Sequence, residues 1–179
     1  MRRIEVAELS LATLDALDVE ALALLIDEER PLQGLPGLVD WRLAGALTRT
    51  LLDGLYAAGP GEALLLPTAG RLPVARVVAV GLSPELGEAG FAAVVGRLCE
   101  VVARAGAASF ATAALPLRGV TGAEAGRAWL RAAAAVPGDR LVLLGDPRAV
   151  AADLAAARLE VHVGIEVAPF VAPAAAMVR

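Results

Sequence analysis

The alternation of short apolar runs with longer helical patterns constrains the fold of this 179-residue chain most strongly. Between the apolar runs, apolar residues recur every three or four positions, as in helices that bury one face. Strands that alternate with helices predict a single α/β domain, long enough to bury a core. The predicted strands are residues 4–11, 21–26, 63–66, 74–80, 107–115, 140–144 and 159–167.

The helices are predicted from periodicity and from their end signals. Residues 38–55 form one predicted helix, because Leu43, Leu47 and Leu51 share a face. A second helix ends at Gly106, since glycine tolerates positive φ at a helix C-terminus. Thr121 and Glu124 have capping-box spacing, which predicts a helix over 121–136. The buried stripe of the second helix consists of Phe91, Val94, Leu98, Val101 and Val102.

Two strand-to-helix corners, at residues 78–84 and 141–147, share one design. In each, an apolar strand is followed by a glycine, then Ser83 or Asp146, then a proline. A capping side chain before proline predicts a helix start, and the second corner predicts a helix over 147–157. Such corners lie at the carboxyl edge of a parallel sheet, where open α/β folds bind ligands. Two interpretations remain open: a ligand-binding edge, or two well-formed helix starts.

The last predicted strand alternates strictly between apolar and polar residues. One face is polar, which is typical of a strand at a sheet edge. The single histidine, His162, lies on that polar face, and we predict that it is solvated or salt-bridged at the surface. Residues 1–168 are predicted to form the domain, and residues 169–179 an irregular tail. The apolar face is formed by Leu159, Val161, Val163, Ile165 and Val167.

Composition excludes several kinds of chemistry. All 16 basic residues are arginine, so mechanisms that need a lysine or asparagine side chain from this chain are excluded. A net charge of −4 argues against a nucleic-acid-binding protein, because such proteins usually present a basic face. A single cysteine, Cys99, cannot form an internal disulfide, and with one histidine it cannot supply a zinc site.

The sequence predicts no membrane segment, although its mean hydropathy is +0.65. It lacks an uncharged apolar run of about 18 residues, the length that a transmembrane helix needs. Its first residues, MRRIEVAELS, carry acidic side chains where a signal peptide would be apolar. We therefore expect a cytoplasmic protein.

The chain contains the segments LQGLPGLVDWRLAGAL at residues 32–47 and GEALLLPTAGRLPVARVVAVGL at residues 61–82. Both segments resemble the N-terminal domain of the M17 leucyl aminopeptidases. The resemblance covers most of the chain and implies a macro-domain-like fold, a three-layer α/β/α sandwich with a mixed, mostly parallel sheet. The catalytic half of that family, with two divalent metals and an NTDAEGR-type motif, has no counterpart here.

The resemblance therefore implies a free-standing, non-catalytic accessory or interaction module without cofactor or metal. Its expected partners are a second copy of itself or a separately encoded M17 peptidase, and numbering from Met1 favours a free-standing copy. Aminopeptidase activity, which the family name suggests, would require a partner chain to supply the metals.

The same segments are also similar to macro domains, which implies an alternative function as a binder of ADP-ribose or a related nucleotide. In macro domains, a glycine-rich turn leads into a helix that starts Gly-Val-Asp. Leu35 and Pro36 depart from that glycine-rich pattern, so the turn either cradles a phosphate or only starts a helix. The matching residues here are Gly34, Gly37, Val39 and Asp40.

A later Gly-x-x-Gly loop of macro domains wraps the diphosphate of ADP-ribose, and backbone N–H groups ahead of a helix suit an anion. The aromatic residue that often follows this loop is Ala123 here. Asp27 matches an acidic residue that contacts the adenine in macro domains. The residues that match the loop are Gly119, Val120, Thr121 and Gly122.

Other side chains have open interpretations. The acidic run at 27–29 is either a solvated loop or a hard-cation site with oxygen ligands. Trp41 and Trp129 are predicted as core or interface aromatics, which need no ligand.

Overall fold

The computed structural model describes residues 1, 3–27, 30–83, 86–114 and 119–173. Its strands are β1 (Arg3–Glu8), β2 (Ala21–Ile26), β3 (Ala63–Pro67), β4 (Arg76–Gly81), β5 (Ser109–Ala113), β6 (Arg140–Gly145) and β7 (Glu166–Pro169). Its helices are α1 (Leu11–Ala16), α2 (Gly34–Arg42), α3 (Ala46–Leu52), α4 (Glu88–Arg104), α5 (Gly122–Ala135) and α6 (Pro147–Arg158).

The strands form one sheet in the order β3-β4-β2-β5-β6-β1-β7. β3 is antiparallel to β4, and the other neighbouring strands are parallel. Buried apolar residues form two clusters on opposite faces of the sheet. One cluster packs against α4, α5 and α6, and the other against α1, α2 and α3. The predicted three-layer α/β/α sandwich with a mixed, mostly parallel sheet is confirmed.

The first strand is shorter than predicted, because a helix begins where the strand was expected to continue. β1 ends at Glu8, and α1 starts at Leu11. The Ser10 side chain accepts a hydrogen bond from the Thr13 backbone N–H at 3.1 Å, which caps the helix. Leu14 and Leu17, three positions apart, are buried in the core.

The single helix predicted for residues 38–55 is two helices, α2 and α3. Gly45, at φ +76°, separates them and serves as the N-cap of α3. Leu43 and Leu47 are nevertheless buried on one face, as the spacing predicts. Ala44, at φ +53°, and Gly45 both have a positive φ that an α-helix does not accommodate, so the break lies at these two residues.

Helix α4 begins later than the first corner predicts. Gly87 is its N-cap, so Ser83 does not cap it, and Pro84 lies outside the described residues. The apolar stripe begins only at Phe91, and Glu88 supplies an acidic side chain in the first turn. The predicted end is confirmed, because Gly106 has φ +77° just after the helix.

The second corner and the capping box are confirmed. Asp146 accepts hydrogen bonds from the backbone N–H groups of Arg148 and Ala149, with Pro147 in the first turn of α6. The Thr121 N–H donates to Glu124 Oε2 at 2.7 Å, and Thr121 Oγ1 accepts from the Glu124 N–H at 3.3 Å. Both helices therefore start where side-chain oxygens satisfy their first N–H groups.

The last strand is much shorter than predicted. β7 pairs only with β1, and Glu166 is opposite Arg3, the first residue of β1. Residues before Glu166 therefore lie beyond the first residue of β1 and are not paired with that strand. Leu159 is 82% exposed, contrary to its predicted inward orientation, whereas His162 is exposed as predicted. β7 includes Pro169, the first residue of the predicted tail, and residues 174–179 lie outside the described residues.

Among the described residues, no helix is both long and apolar enough to cross a membrane.

Candidate functional site

The carboxyl ends of three adjacent strands form one side of a cavity of about 160 Å³, which we call the edge cavity. β4, β2 and β5 are parallel neighbours, so Gly81, Ile26 and Ala113 lie at the same edge of the sheet. The start of α2 forms the opposite wall. The described lining consists of Leu25, Ile26, Asp27, Pro31, Leu32, Gln33, Gly34, Leu35, Pro36, Leu82 and Ala113.

The predicted turn at residues 34–37 starts α2 and borders the edge cavity. Gln33 is the N-cap, and its side chain does not cap the helix. Pro36 has no N–H group, so the first turn offers the N–H groups of Gly34 and Leu35. Gly37 has a structural role, because a Cβ there would lie 2.5 Å from the Leu32 carbonyl oxygen.

Asp27 follows β2 directly and lines the edge cavity. The Arg30 guanidinium folds back toward it, with Nη1 donating to the Asp27 carbonyl oxygen at 2.8 Å. Asp27 therefore supplies the carboxyl group of an otherwise mostly apolar lining. Glu28 and Glu29, which complete the predicted cation site, lie outside the described residues.

Val39 and Asp40 have structural roles. Val39 is fully buried in the core. Asp40 Oδ1 accepts from the backbone N–H groups of Leu47 and Thr48 at 2.9 and 3.0 Å, and Oδ2 accepts from Thr48 Oγ1 at 2.5 Å. The carboxylate therefore caps α3 across the α2–α3 break, in the role of an N-cap side chain. Asp40 also borders an open surface depression, which shares Pro31 and Leu32 with the lining of the edge cavity.

The Glu124 carboxylate lies next to the predicted diphosphate loop at residues 119–122. Gly119 has φ +83°, and Val120 is buried in the core. Glu124 accepts the Thr121 N–H, and this backbone hydrogen bond holds the pKa of the Glu124 carboxyl below its usual range. A negative charge is therefore present at neutral pH where the loop was predicted to receive a phosphate, and it repels an anion.

Gly122 lies at a second cavity, of about 240 Å³, which we call the helix cavity. A Cβ on Gly122 would overlap the Asp153 carboxylate, and a Cβ on Gly126 would lie 2.8 Å from the Asp153 carbonyl oxygen. Both glycines therefore permit close packing of α5 against α6. The described residues of the two cavities do not overlap, and neither lining, as far as it is described, includes residues from both 34–37 and 119–122.

Residues that sequence reasoning did not single out complete the cavities. Leu82 and Ala113 line the edge cavity, and Gly145 and Asp153 line the helix cavity. The two strand-to-helix corners indicated two of these positions, because Leu82 belongs to the first corner and Gly145 to the second. Ala113 and Asp153 carry no sequence signal, because only the sheet order and the helix packing bring them to a cavity.

Of the other candidate side chains, Trp129 lines the helix cavity, whereas Trp41, Cys99 and His162 line neither cavity. In the described part of the chain, no group of three or more histidine, cysteine, aspartate or glutamate side chains is placed to hold a metal. Trp41 is 63% exposed and does not belong to the core, whereas Trp129 is buried. Cys99 is buried, and burial raises the pKa of its thiol to about 12.

Similar solved structures include macro domains and an aminopeptidase. The chain matches the macro domain of ganglioside induced differentiation associated protein 2 with TM-score 0.64 and 14% identity, over 85% of this chain and 82% of that one. It matches the Oceanobacillus iheyensis macrodomain with ADP with TM-score 0.61 and 14% identity, over 82% and 87% of the two chains. A mutant of tomato leucine aminopeptidase matches with TM-score 0.58 and 13% identity, over 86% of this chain but 35% of the enzyme.

No protein-family model and no curated protein matches the sequence. At 13–14% identity, the structural likeness shows the fold alone. The chain therefore has a macro-domain-like fold, as its sequence resemblance implied.

Proposed function

We propose that this domain is a small-ligand-binding module of the macro type, which takes a nucleotide-like ligand in the edge cavity. The observation that carries the proposal is the cavity itself, at the carboxyl ends of β4, β2 and β5. Ligands of open α/β sheets bind at this edge. A macro domain of the same fold was solved with ADP, which supports a nucleotide as the ligand class.

The cavity walls suit one flat ring system. Leu25, Leu32, Leu35 and Leu82 provide apolar surface for the faces of a ring. Typical small-molecule sites have volumes of about 300–1,000 Å³, so this cavity takes one part of a ligand and leaves the rest at the surface. We propose that it takes the base.

Polar groups at the two ends of the cavity give the ligand its orientation. The Asp27 carboxylate is an acceptor for the amino or imino hydrogens of a base. The N–H groups of Gly34 and Leu35, at the start of α2, offer donors to a ribose or a phosphate. The charged part of the ligand then lies toward the start of α2.

Calorimetric titration with ADP-ribose at low salt tests the proposal. We expect saturable binding in the micromolar range, about −8 kcal/mol. Ala113→Leu adds side-chain volume to the edge cavity, so it should weaken binding at least tenfold. The matched control is Ala155→Leu, the same change at an exposed position of α6. No heat at millimolar ADP-ribose or ADP, or equal binding by both variants, would contradict the proposal.

A second candidate function is the non-catalytic accessory module that the M17 resemblance implies. The match to 35% of an aminopeptidase chain favours it, since there the same fold is one part of a larger protein. Exposed apolar side chains on and after α2 and α3 offer a contact surface: Trp41, Leu52 and Leu55 are 63%, 78% and 76% exposed. The partner would be a second copy or a separately encoded M17 peptidase.

Light scattering and an activity assay test this second candidate. Self-association should depend on protein concentration and weaken in Trp41→Ser, because that change removes the largest exposed apolar side chain. We expect no hydrolysis of leucyl amides with added manganese or zinc. A monomer at all concentrations that also fails to bind an added M17 peptidase would contradict the candidate, and leucyl-amide turnover would contradict its non-catalytic character.

A further inference from the structure

We propose that the helix cavity is a second binding site, for a compact organic amine with an apolar body. It lies between α5 and α6 at the carboxyl end of β6, and its described residues are separate from those of the edge cavity. The site does not depend on the proposed nucleotide site. Its chemistry is set by one carboxylate, one buried aromatic ring and apolar walls.

Asp153 supplies the charge of the site. It lines the cavity from α6, is partly buried, and makes no hydrogen bond or ion pair with any described residue. Its carboxylate lies against Gly122, where a Cβ would overlap it. This carboxylate makes one end of the cavity negative, so a cation that enters the cavity would pair with it.

Trp129 supplies an aromatic wall. It is 1% exposed, and its ring packs edge-on against Phe91 with ring centroids 6.4 Å apart. Among the residues that the structure describes, its indole Nε1 has no hydrogen-bond partner, which is unusual for a buried tryptophan. The ring offers an ammonium group a favourable cation–π surface, and the orphan N–H is a donor that a ligand with an acceptor atom would satisfy.

The remaining walls exclude other ligand classes. Ala114, Leu143, Val150 and Leu154 are apolar and suit a hydrocarbon body. The other carboxylate, Asp146, already accepts two backbone N–H groups of α6, so an anion finds carboxylates and no basic side chain among the described lining residues. Two carboxylates also fall short of the oxygen set that a divalent cation requires. A volume of about 240 Å³ limits the ligand to a small molecule.

The test uses tyramine as the probe, because its ammonium group can pair with Asp153 and its phenol oxygen can accept from the Trp129 N–H. The neutral analogue of similar shape is tyrosol, which keeps the phenol and replaces the amine with a hydroxyl. Titration is followed by tryptophan fluorescence in a Trp41→Phe background, which leaves Trp129 as the reporter. We expect saturable binding of the amine and at least tenfold weaker binding of the alcohol. Asp153→Asn should abolish this difference, because it removes the charge and keeps the side-chain shape.

A second pair of variants locates the site. Ala149→Leu, at the cavity wall, should weaken amine binding at least tenfold, whereas Ala155→Leu and the edge-cavity variant Ala113→Leu should leave it unchanged. Equal binding of the amine and the alcohol by the protein that retains Asp153 would overturn the proposal. So would full amine binding by Asp153→Asn or by Ala149→Leu.

Discussion

Asp40→Ala tests whether this predicted ligand residue is in fact a helix cap. The carboxylate accepts the N–H groups of Leu47 and Thr48 and the Thr48 hydroxyl, all within 3.0 Å. Loss of an N-cap side chain costs about 0.5–2 kcal/mol, and hydrogen bonds to a charged group contribute about 1.5–3 kcal/mol. We expect the variant to lose about 2 kcal/mol of unfolding free energy, near the overlap of the two ranges.

The assay is urea unfolding followed by circular dichroism, with the thermal midpoint as a second readout. For a chain of this length, about 2 kcal/mol corresponds to a fall in Tm of roughly 4–8 °C. Asp40→Asn keeps an acceptor for the backbone N–H groups and should lose less than half as much. The control Asp53→Ala removes an exposed carboxylate and should change stability by less than about 0.5 kcal/mol.

If Asp40→Ala costs no more unfolding free energy than Asp53→Ala, the carboxylate does not stabilise α3 and the capping role of Asp40 is refuted. A second outcome bears on function. If Asp40→Asn folds normally and binds ADP-ribose as tightly as the unmodified protein, Asp40 acts through structure alone. If Asp40→Asn folds normally but binds ADP-ribose more weakly, Asp40 contributes to the ligand site.

Three further predictions concern packing and ionisation. Gly126→Val should cost about 1–3 kcal/mol in urea unfolding, because its side chain would meet the α6 backbone, whereas Gly96→Val, the same change at a position of α4 with open space, should not destabilise the protein; equal costs would refute the packing role. The pKa of Glu124 is lowered in the folded state, so its stabilising contribution is present above its ordinary value of 4.5 and is lost as pH falls through the lowered value. The Tm advantage over Glu124→Gln should therefore shrink as pH falls below 4.5, and a constant difference from pH 7 to pH 3 would contradict this. Cys99, with its thiol pKa raised to about 12, should react with a disulfide reagent at pH 8 only after denaturation, and rapid reaction of the folded protein would contradict its burial.

The sequence predicted those parts of the fold that local signals determine. Apolar runs indicated the strands that form the centre of the sheet, and the capping residues Thr121 and Asp146 indicated where α5 and α6 begin. Ser10 carried a similar signal for α1, but the apolar residues after it also fit a continued strand. Short segments of this kind suit either structure until packing decides between them.

The parts that were wrong depend on distant contacts. The break between α2 and α3 depends on Gly45 and on the Asp40 side chain, which reaches Thr48 eight residues later. Apolar and polar residues alternate through 159–167, but β1 pairs with this segment only from Glu166 onward. Periodicity describes which face a residue would bury, and it carries no information on where a neighbouring strand ends.

The candidate site was predictable only in part. Asp27 and Gly34 do line a cavity at the expected sheet edge. Gly37, Val39 and Asp40 match the same resemblance, yet they pack or cap local structure. A glycine required by a close backbone approach and a glycine required by a ligand look identical in a sequence, so the structure is needed to separate them.

A nitrogen-15 amide spectrum of the protein titrated with ADP-ribose tests the edge cavity as the binding site most directly. We expect the amide signals of Gly34 and Leu35, at the edge cavity, to shift in a saturable manner, while those of Gly119 and Gly122 change little. Shifts confined to Gly119 and Gly122, or no shift at millimolar ligand, would contradict the proposed site.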